Sequence, residues 1–406
     1  MPEQNVEMQA DVELQAAFEP HTLQGEPVWT WANDYSTASA AFTCSECGET
    51  QTFDAAVTSE ASGKKTVYTA AVTVNGVEYT DSKTVFHNDF GEDLAGCTLS
   101  LGDDIGVNFF MELSEEVVES PNAKMVFTVE NGEGKAPQEL LVSDIVKNDL
   151  YSTAGDSTYY IFSCHVAAKE MNTTIKAQII DGEEDGDIYE YTVKDYAKTI
   201  ITDTAGRYSD STKALVKAMV NYGTAAQTQF GFNTDNPVNL ILEESDRVTA
   251  PLTEIEKGEI TAHNKQITAD IKNVNDVTYI GSQLVLLSNT TYRMYFSSGL
   301  DKYTVMYNDE EIDPAVSGNS RTITISDISP NQLFEDISLK LTPKSGNAEP
   351  VNISLNAADY YYFALKLPTD DSVSNEKAAE NSRLINTVTA LYRYYNAVCD
   401  YVSDNS

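Results

Sequence analysis

From His21 onward the chain alternates apolar residues with Thr and Ser in short runs broken by turn residues. EPVWTWANDYSTASAAFTC, TQTFDAAVTSE, KKTVYTAAVTVNG and VEYTDSKTVFH are rich in Val, Tyr, Phe, Trp and Thr at period two. That is the pattern of half-buried strands. Between the last two runs stands Asn75-Gly76; both residues accept positive φ, so the pair predicts a tight hairpin. These runs predict a small all-β module over 21–88. Trp29 and Trp31 flank Thr30 and share one strand face, so one of them is expected in its core. Residues 1–20 carry no such pattern and read as a tail or linker.

Two longer stretches, 96–232 and 249–403, repeat a common order of signals. The first opens GCTLSLGDDIGVNFFMEL and the second GSQLVLLSNTTYRMYFSSGL, so that Leu99 and Leu101 align with Leu284 and Leu286. One inserted residue then sets Phe109-Phe110 on Tyr295-Phe296. Further strand runs follow in each, then a short helix pattern with an Asp-Tyr pair (Asp195-Tyr196, Asp359-Tyr360). Each closes on a long apolar stripe: Leu215, Met219, Tyr222, Ala226 and Phe230 in one, Leu384, Val388, Leu391, Tyr395, Val398 and Val402 in the other. Steps of three and four mark amphipathic helices, and stripes this long must be covered. Ala218, Met219, Tyr222 and Ala225 meet Ala390, Leu391, Tyr394 and Ala397 without gaps. The front ends are offset by 185 residues and the back ends by 172, which leaves the first copy about thirteen residues longer. The acidic run DGEEDGD is expected to hold part of that surplus. Between the copies, 233–248 (NTDNPVNLILEESDR and the residue after it) has an Asn-Pro break and reads as a linker. The expected fold is therefore mainly β: a small all-β module, then two homologous β-sandwich-like units, each with a C-terminal helix pair.

Composition narrows the function classes. A chain of 406 residues suits two to four domains, and 41% hydrophobic residues suffice to fill ordinary cores. With 63 acidic residues against 26 basic ones the net charge is −37, and such a field repels nucleic-acid phosphate and anionic lipid. No apolar run is long enough to span a membrane. The first residues lack the basic start and apolar core of a signal peptide, which leaves either a cytoplasmic protein or a piece of a longer exported chain. A monomer is expected.

Candidate chemistry is sparse. The four histidines, His21, His87, His165 and His263, join no Ser/His/Asp set. Cys164 and His165 are strand neighbours and point to opposite faces. Carboxylates are too numerous for any one pair to stand out as a glycosidase dyad. No catalytic residue is assigned, and a non-enzymatic protein is expected. Asp181, Glu183, Asp185, Gly186 and Asp187 begin like a calcium loop, but the twelfth position is Thr192 instead of Glu, so an acidic hairpin is expected there. The 23 tyrosines raise a carbohydrate-binding alternative, although many lie in predicted helices, where packing explains them. Cys97, Cys164 and Cys399 read as small buried hydrophobes, with a Cys97–Cys164 bridge left open. Cys44 and Cys47 form a C-x-x-C knuckle that can turn two thiolates toward one metal. His21 and His87 stand at the opening and close of the same module, and a β-fold commonly brings such ends together. A module of about 65 residues also gains from a staple. His21, Cys44, Cys47 and His87 are therefore the candidate ligands of a structural zinc, with a Cys44–Cys47 disulfide or two thiols as alternatives.

The stretches GEPVWTWANDYSTASAAFTCSECGETQTFDAAVTSE…TVYTAAVTVNGVEYTDSKTV, HVAAKEMNTTIKAQIIDG…YTVKDYAKTII…ALVKAMVNYGTAAQTQFGFNTDNPVN and YIGSQLVLLSNTTYRMYF resemble modules repeated in large secreted and cell-surface proteins of gut Firmicutes. The resemblance spans most of 21–402, and VKAMVNYGTAAQ is its most distinctive part. It implies export, display at the cell surface or secretion, and multi-module architecture, without implying an activity. The expected function is that of an extracellular spacer and adhesion platform. Expected partners are host glycans, host proteins such as mucin or immunoglobulin, or the envelope itself. The alternative is a carbohydrate-binding accessory region of a glycan-degrading enzyme.

Overall fold

The computed structural model describes residues 23–405 except 24, 46, 63–64, 88–89, 102–103, 131–135, 156, 248, 265–276, 287–289, 327 and 346–348. The tail expected over 1–20 and the candidate ligand His21 lie outside the described residues. The fold is mainly β and divides into two compact units, Met1–Asp93 and Leu94–Ser406.

The first unit is an antiparallel meander of five strands, β1 (Val28–Trp31), β2 (Ala38–Thr43), β3 (Thr50–Ser62), β4 (Lys65–Val74) and β5 (Val77–Phe86), paired in chain order. β3 serves two halves of the sheet. Its first six residues pair with β2 and its last seven with β4. The meander rolls up, because Trp31 Nε1 on edge strand β1 donates to the Asp81 carboxylate on the other edge strand, β5, at 2.7 Å. Inside, Leu23, Ala40, Phe42, Cys44, Val72 and Val74 form the core, with Trp29, Phe53, Ala55 and Tyr79 packed against it. Of the two tryptophans, half-buried Trp29 packs against the core and Trp31 ties the edges. Asn75 and Gly76 take φ of 52° and 82°, and the hairpin forms where the sequence places it.

The second unit contains two halves with one strand order. The first half runs β6 (Glu92–Ser100), β7 (Gly106–Leu113), α1 (Glu115–Glu119), β8 (Lys124–Val129), β9 (Gln138–Leu141), α2 (Val142–Lys147), β10 (Tyr151–Ala154), β11 (Ser157–His165), β12 (Ile175–Asp181), β13 (Glu184–Asp185), β14 (Tyr189–Tyr191), α3 (Val193–Ile201) and α4 (Asp210–Phe230). The second runs α5 (Glu254–His263), β15 (Tyr279–Leu286), β16 (Thr290–Ser297), β17 (Tyr303–Tyr307), β18 (Glu310–Ile312), β19 (Ala315–Ser317), β20 (Ser320–Ile325), β21 (Ile337–Pro343), β22 (Val351–Leu355), α6 (Ala357–Ala364) and α7 (Asn375–Asn405). Sheets β6-β7-β11-β10 and β15-β16-β20-β19 correspond strand for strand, as do β9-β8-β12-β14 and β18-β17-β21-β22. In the first half Phe109 on β7 meets Phe127 on β8 at 5.4 Å, so its two sheets face each other across a shared core.

Pairing corrects the proposed register. Val107, Phe109 and Met111 are buried on β7, and Tyr292, Met294 and Phe296 on β16. Opposite them, Cys164, Phe162 and Tyr160 pair as Ile325, Ile323 and Arg321 do. The match therefore keeps the 185-residue offset of Leu99 and Leu284 and needs no inserted residue. Setting Phe109 on Tyr295 would turn every side chain to the wrong face, because the strand period is two. The extra length of the first half lies in α2, which has no counterpart between β18 and β19, and in longer connections from β7 to β8 and from β8 to β9. The acidic run makes a hairpin, with Ile180 opposite Asp185 and Asp181 opposite Glu184 around Gly182 at φ 67°. A Cys97–Cys164 bridge is excluded: β7 separates β6 from β11, and two strand spacings of about 4.8 Å exceed the roughly 7 Å reach of a disulfide.

The Asp-Tyr pairs prove to be capping devices. Asp195 and Asp359 are the third residues of α3 and α6, whose first free N–H groups need acceptors. Thr192 accepts from the Asp195 N–H at 2.9 Å and donates its hydroxyl to the Asp195 carboxylate at 2.7 Å. Asn356 and Asp359 cap α6 reciprocally. The long helices α4 and α7 then pack on each other. Tyr222 and Tyr394, equivalent positions of the two halves, stack at 5.8 Å with planes 15° apart, and Thr387 Oγ1 donates to the Ala225 carbonyl at 3.2 Å. Position rises along α4 as it falls along α7, so the helices are antiparallel. On another side of α4, Gly223 lets the 168–171 turn and Val238 pack closely: a Cβ there would come within 2.8 Å of Met171 Sδ and Val238 Cγ1. The stripes are covered except at their ends, where Phe230 is 51% exposed beneath the Lys169 ammonium and Val402 is also exposed.

Residues 233–248 are not the linker the Asn-Pro break suggested. Val238 and Leu242 are buried, the Val238 N–H donates to Gln227 Oε1 at 2.9 Å, and Lys217 pairs with Asp246 at 2.7 Å. Two apolar residues four apart anchor this segment on α4, so Leu94–Ser406 is one compact body.

Candidate functional site

Cys44 and Cys47 flank the turn that joins β2 to β3. The Cys44 N–H donates to the Glu49 carbonyl at 2.8 Å, and the Gly48 N–H returns to the Cys44 carbonyl at 2.9 Å. Gly48 takes φ 74°, the left-handed conformation that the return demands. Cys44 is buried in the core and Cys47 is exposed, with their thiols in hydrogen-bonding reach. The Cys47 thiol titrates above its ordinary value. The Glu49 backbone N–H pulls it down, but the hydrogen bond with Cys44, burial and the neighbouring charges together push it up. It is not an activated nucleophile.

His87 does not join them. Lys65 pairs with Phe86, so His87 follows β5 at the Ser62–Lys65 end of the module, where its Nε2 meets Thr66 Oγ1 at 2.7 Å. The cysteine turn lies at the Thr50 end of β3, twelve strand steps away, on the order of 30 Å even with the bend. A meander with an odd number of strands starts and finishes at opposite ends, which sets His87 apart from the cysteine turn. Of the four candidate ligands the structure brings together Cys44 and Cys47; His21 is outside the described residues. Among the described residues no group of three or more His, Cys, Asp and Glu side chains is placed to hold a metal ion. His87→Ala should therefore cost about 1 kcal/mol or less, the value of one exposed hydrogen bond. A thermal melt showing a loss of several kcal/mol would mark His87 as a ligand after all.

A cleft of the second unit lies beside α2, the first half's own insertion. A space of about 680 Å³ opens between β9 and α2 on one side and the ends of β8 and β12 on the other. Leu140, Leu141, Leu150 and Ile180 give it an apolar wall, while Asn122, Glu139, Asp144 and Asn148 supply amides and carboxylates. Lys124 is neutralised within it by Glu139 at 2.8 Å. Leu141 and Leu150 remain strongly exposed, a cost that a covering ligand would remove. α2 stands where it does because the Val142 N–H donates to the Ala123 carbonyl at 2.9 Å and Val142 and Ile145 are buried beneath it. Such a mixture of apolar wall and converging polar groups is how small-ligand and short-segment sites are built. Sequence reasoning missed this cleft, because its residues are scattered over 121–182 and match no motif. The signal that pointed to it was the thirteen-residue surplus of the first copy.

No family model, no curated protein and no solved structure matches this chain.

Proposed function

We propose that this chain is a non-catalytic, exported surface protein in which two homologous β-sandwich units, joined through their helices, act as spacer and interaction platform. The cleft beside α2 is its ligand-contacting site. One observation carries the reading: the two halves share an eight-strand order, yet one wall of this cleft is α2, a helix that only the first half possesses. A spacer needs copies alike; a recognition site is where one copy departs. The net charge of −37 favours neutral or cationic ligands over polyanions. Neutral host glycans, or segments of host or envelope proteins, fit the apolar wall with its amides and carboxylates. The carbohydrate-binding reading is favoured to the extent that the polar groups are those that commonly hold sugar hydroxyls.

The test pairs a glycan array with a pull-down from host secretions, each run with wild type and Leu150→Asp. Leu150 is 47% exposed, so the variant should melt within about 0.5 kcal/mol of wild type. Retention of a glycan or a protein should fall at least tenfold. Equal retention by the variant would move the site elsewhere, and silence of both assays with wild type would leave a pure spacer.

A further inference from the structure

The chain has six arginines, Arg207, Arg247, Arg293, Arg321, Arg383 and Arg393. Three are neutralised in place: Arg207 by Asp203, Arg321 by Asp301 and Arg393 by Glu256. The last pair shows what the helix junction does with a guanidinium. Glu256, the third residue of α5, is held below the usual carboxylate range. Burial works against this, but the N–H and hydroxyl of Thr253 and the Arg393 fork outweigh it. Of the remaining three arginines, Arg247 and Arg383 line one pocket of about 220 Å³ between α4, α7 and the segment after α4. Among the described residues no carboxylate lines it; the other walls are Asn and Thr side chains and Ala225. In a chain with 63 acidic residues a pocket lined by two arginines stands apart.

We propose that the pocket at the helix junction binds a small oxyanion, carried as a carboxylate, sulfate or phosphate group, between the guanidinium groups of Arg247 and Arg383. Arg247 is already oriented: its Nε donates to the Leu242 carbonyl at 2.9 Å and its Nη2 to the Leu240 carbonyl at 3.2 Å. Nη1 makes no hydrogen bond among the described residues and is left for a ligand. Among the described residues the Arg383 guanidinium makes no hydrogen bond or ion pair, so its fork is open to a second pair of oxygens. The surrounding side chains are spoken for in a way that favours an acceptor. Thr224 Oγ1 already accepts from the Asn239 N–H at 3.0 Å, which turns its own proton outward, and Asn239 is held by Asn221 Oδ1 at 2.9 Å. Charge-assisted, forked contacts of this kind are the strong ones, and lysine does not reproduce them. The site joins the two halves of the unit, since Arg247 follows α4 and Arg383 rides on α7.

The full chain is melted in sodium acetate, sulfate and phosphate series, each at constant ionic strength made up with chloride. At least one of the three should raise Tm saturably where chloride does not, and whichever acts identifies the group carried. Arg383→Ala should melt as wild type in chloride, because its side chain is exposed and unengaged, and should lose the anion response. Arg383→Lys should weaken the apparent affinity roughly tenfold. Arg247→Met should also abolish the response. A chloride-like series for all three anions, or an undiminished response in Arg383→Ala, would overturn the proposal.

Discussion

Phe334→Ala should remove about 3–5 kcal/mol from the stability of the Leu94–Ser406 unit, the usual cost of deleting a buried aromatic ring. Phe334 is 8% exposed and sits in the turn between β20 and β21. Its ring meets His263 of α5 at 5.5 Å, Tyr361 of α6 at 5.3 Å, and Tyr392 and Tyr395 of α7 at 5.7 and 4.7 Å. One side chain thus holds three helices to the sheet. Each favourable aromatic pair adds about 0.5–1.5 kcal/mol beyond area, and a cavity at their centre has no single neighbour able to collapse into it. Tyr361→Phe is the contrasting change. Its buried hydroxyl has no hydrogen-bond partner among the described residues, so removing that oxygen should leave stability equal or higher. Urea unfolding of both variants measures the contrast. A loss below about 1 kcal/mol for Phe334→Ala would mean that the helices are held by something other than this cluster.

The second large effect is expected at the helix crossing. Leu391 is 3% exposed on α7, on the same stripe as buried Val388 and Val398, one turn from the stacked Tyr394. Leu391→Asp places a carboxylate at a buried position of an apolar stripe, and should cost about 4 kcal/mol or more. Because α4 and α7 join the two halves, the variant should also uncouple them: a single melting transition should split or broaden in calorimetry. An unchanged melt would show the stripe to be solvent-facing and would make it a partner surface instead of a seam.

Local features of this fold are written in the chain, and long-range ones are not. Asn75-Gly76 specified its hairpin, and Asp195 and Asp359 marked the first turns of α3 and α6. Positive φ and free N–H groups are properties of a few consecutive residues, so their solutions are written locally. The stripes of α4 and α7 and the mainly β texture were equally legible, since apolar period reports which face is buried without saying against what. Parity of the strand period, however, could not be read from a Phe-Phe to Tyr-Phe match. Only the ladders of β7 with β11 and β16 with β20 show which side chain of each aromatic pair faces inward.

What tertiary structure alone decided is which distant residues become neighbours. His87 parts from Cys44 and Cys47 because five strands, an odd number, end the meander opposite to where it began. The 233–248 segment is packed because Val238 and Leu242 find a surface on α4, and local turn chemistry says nothing of that surface. The wall of the cleft beside α2, the four rings around Phe334 and the meeting of Arg247 with Arg383 are likewise sums of long-range contacts. Each owes its free energy to apolar area and charge brought together by folding, and those are quantities that no stretch of this chain carries by itself.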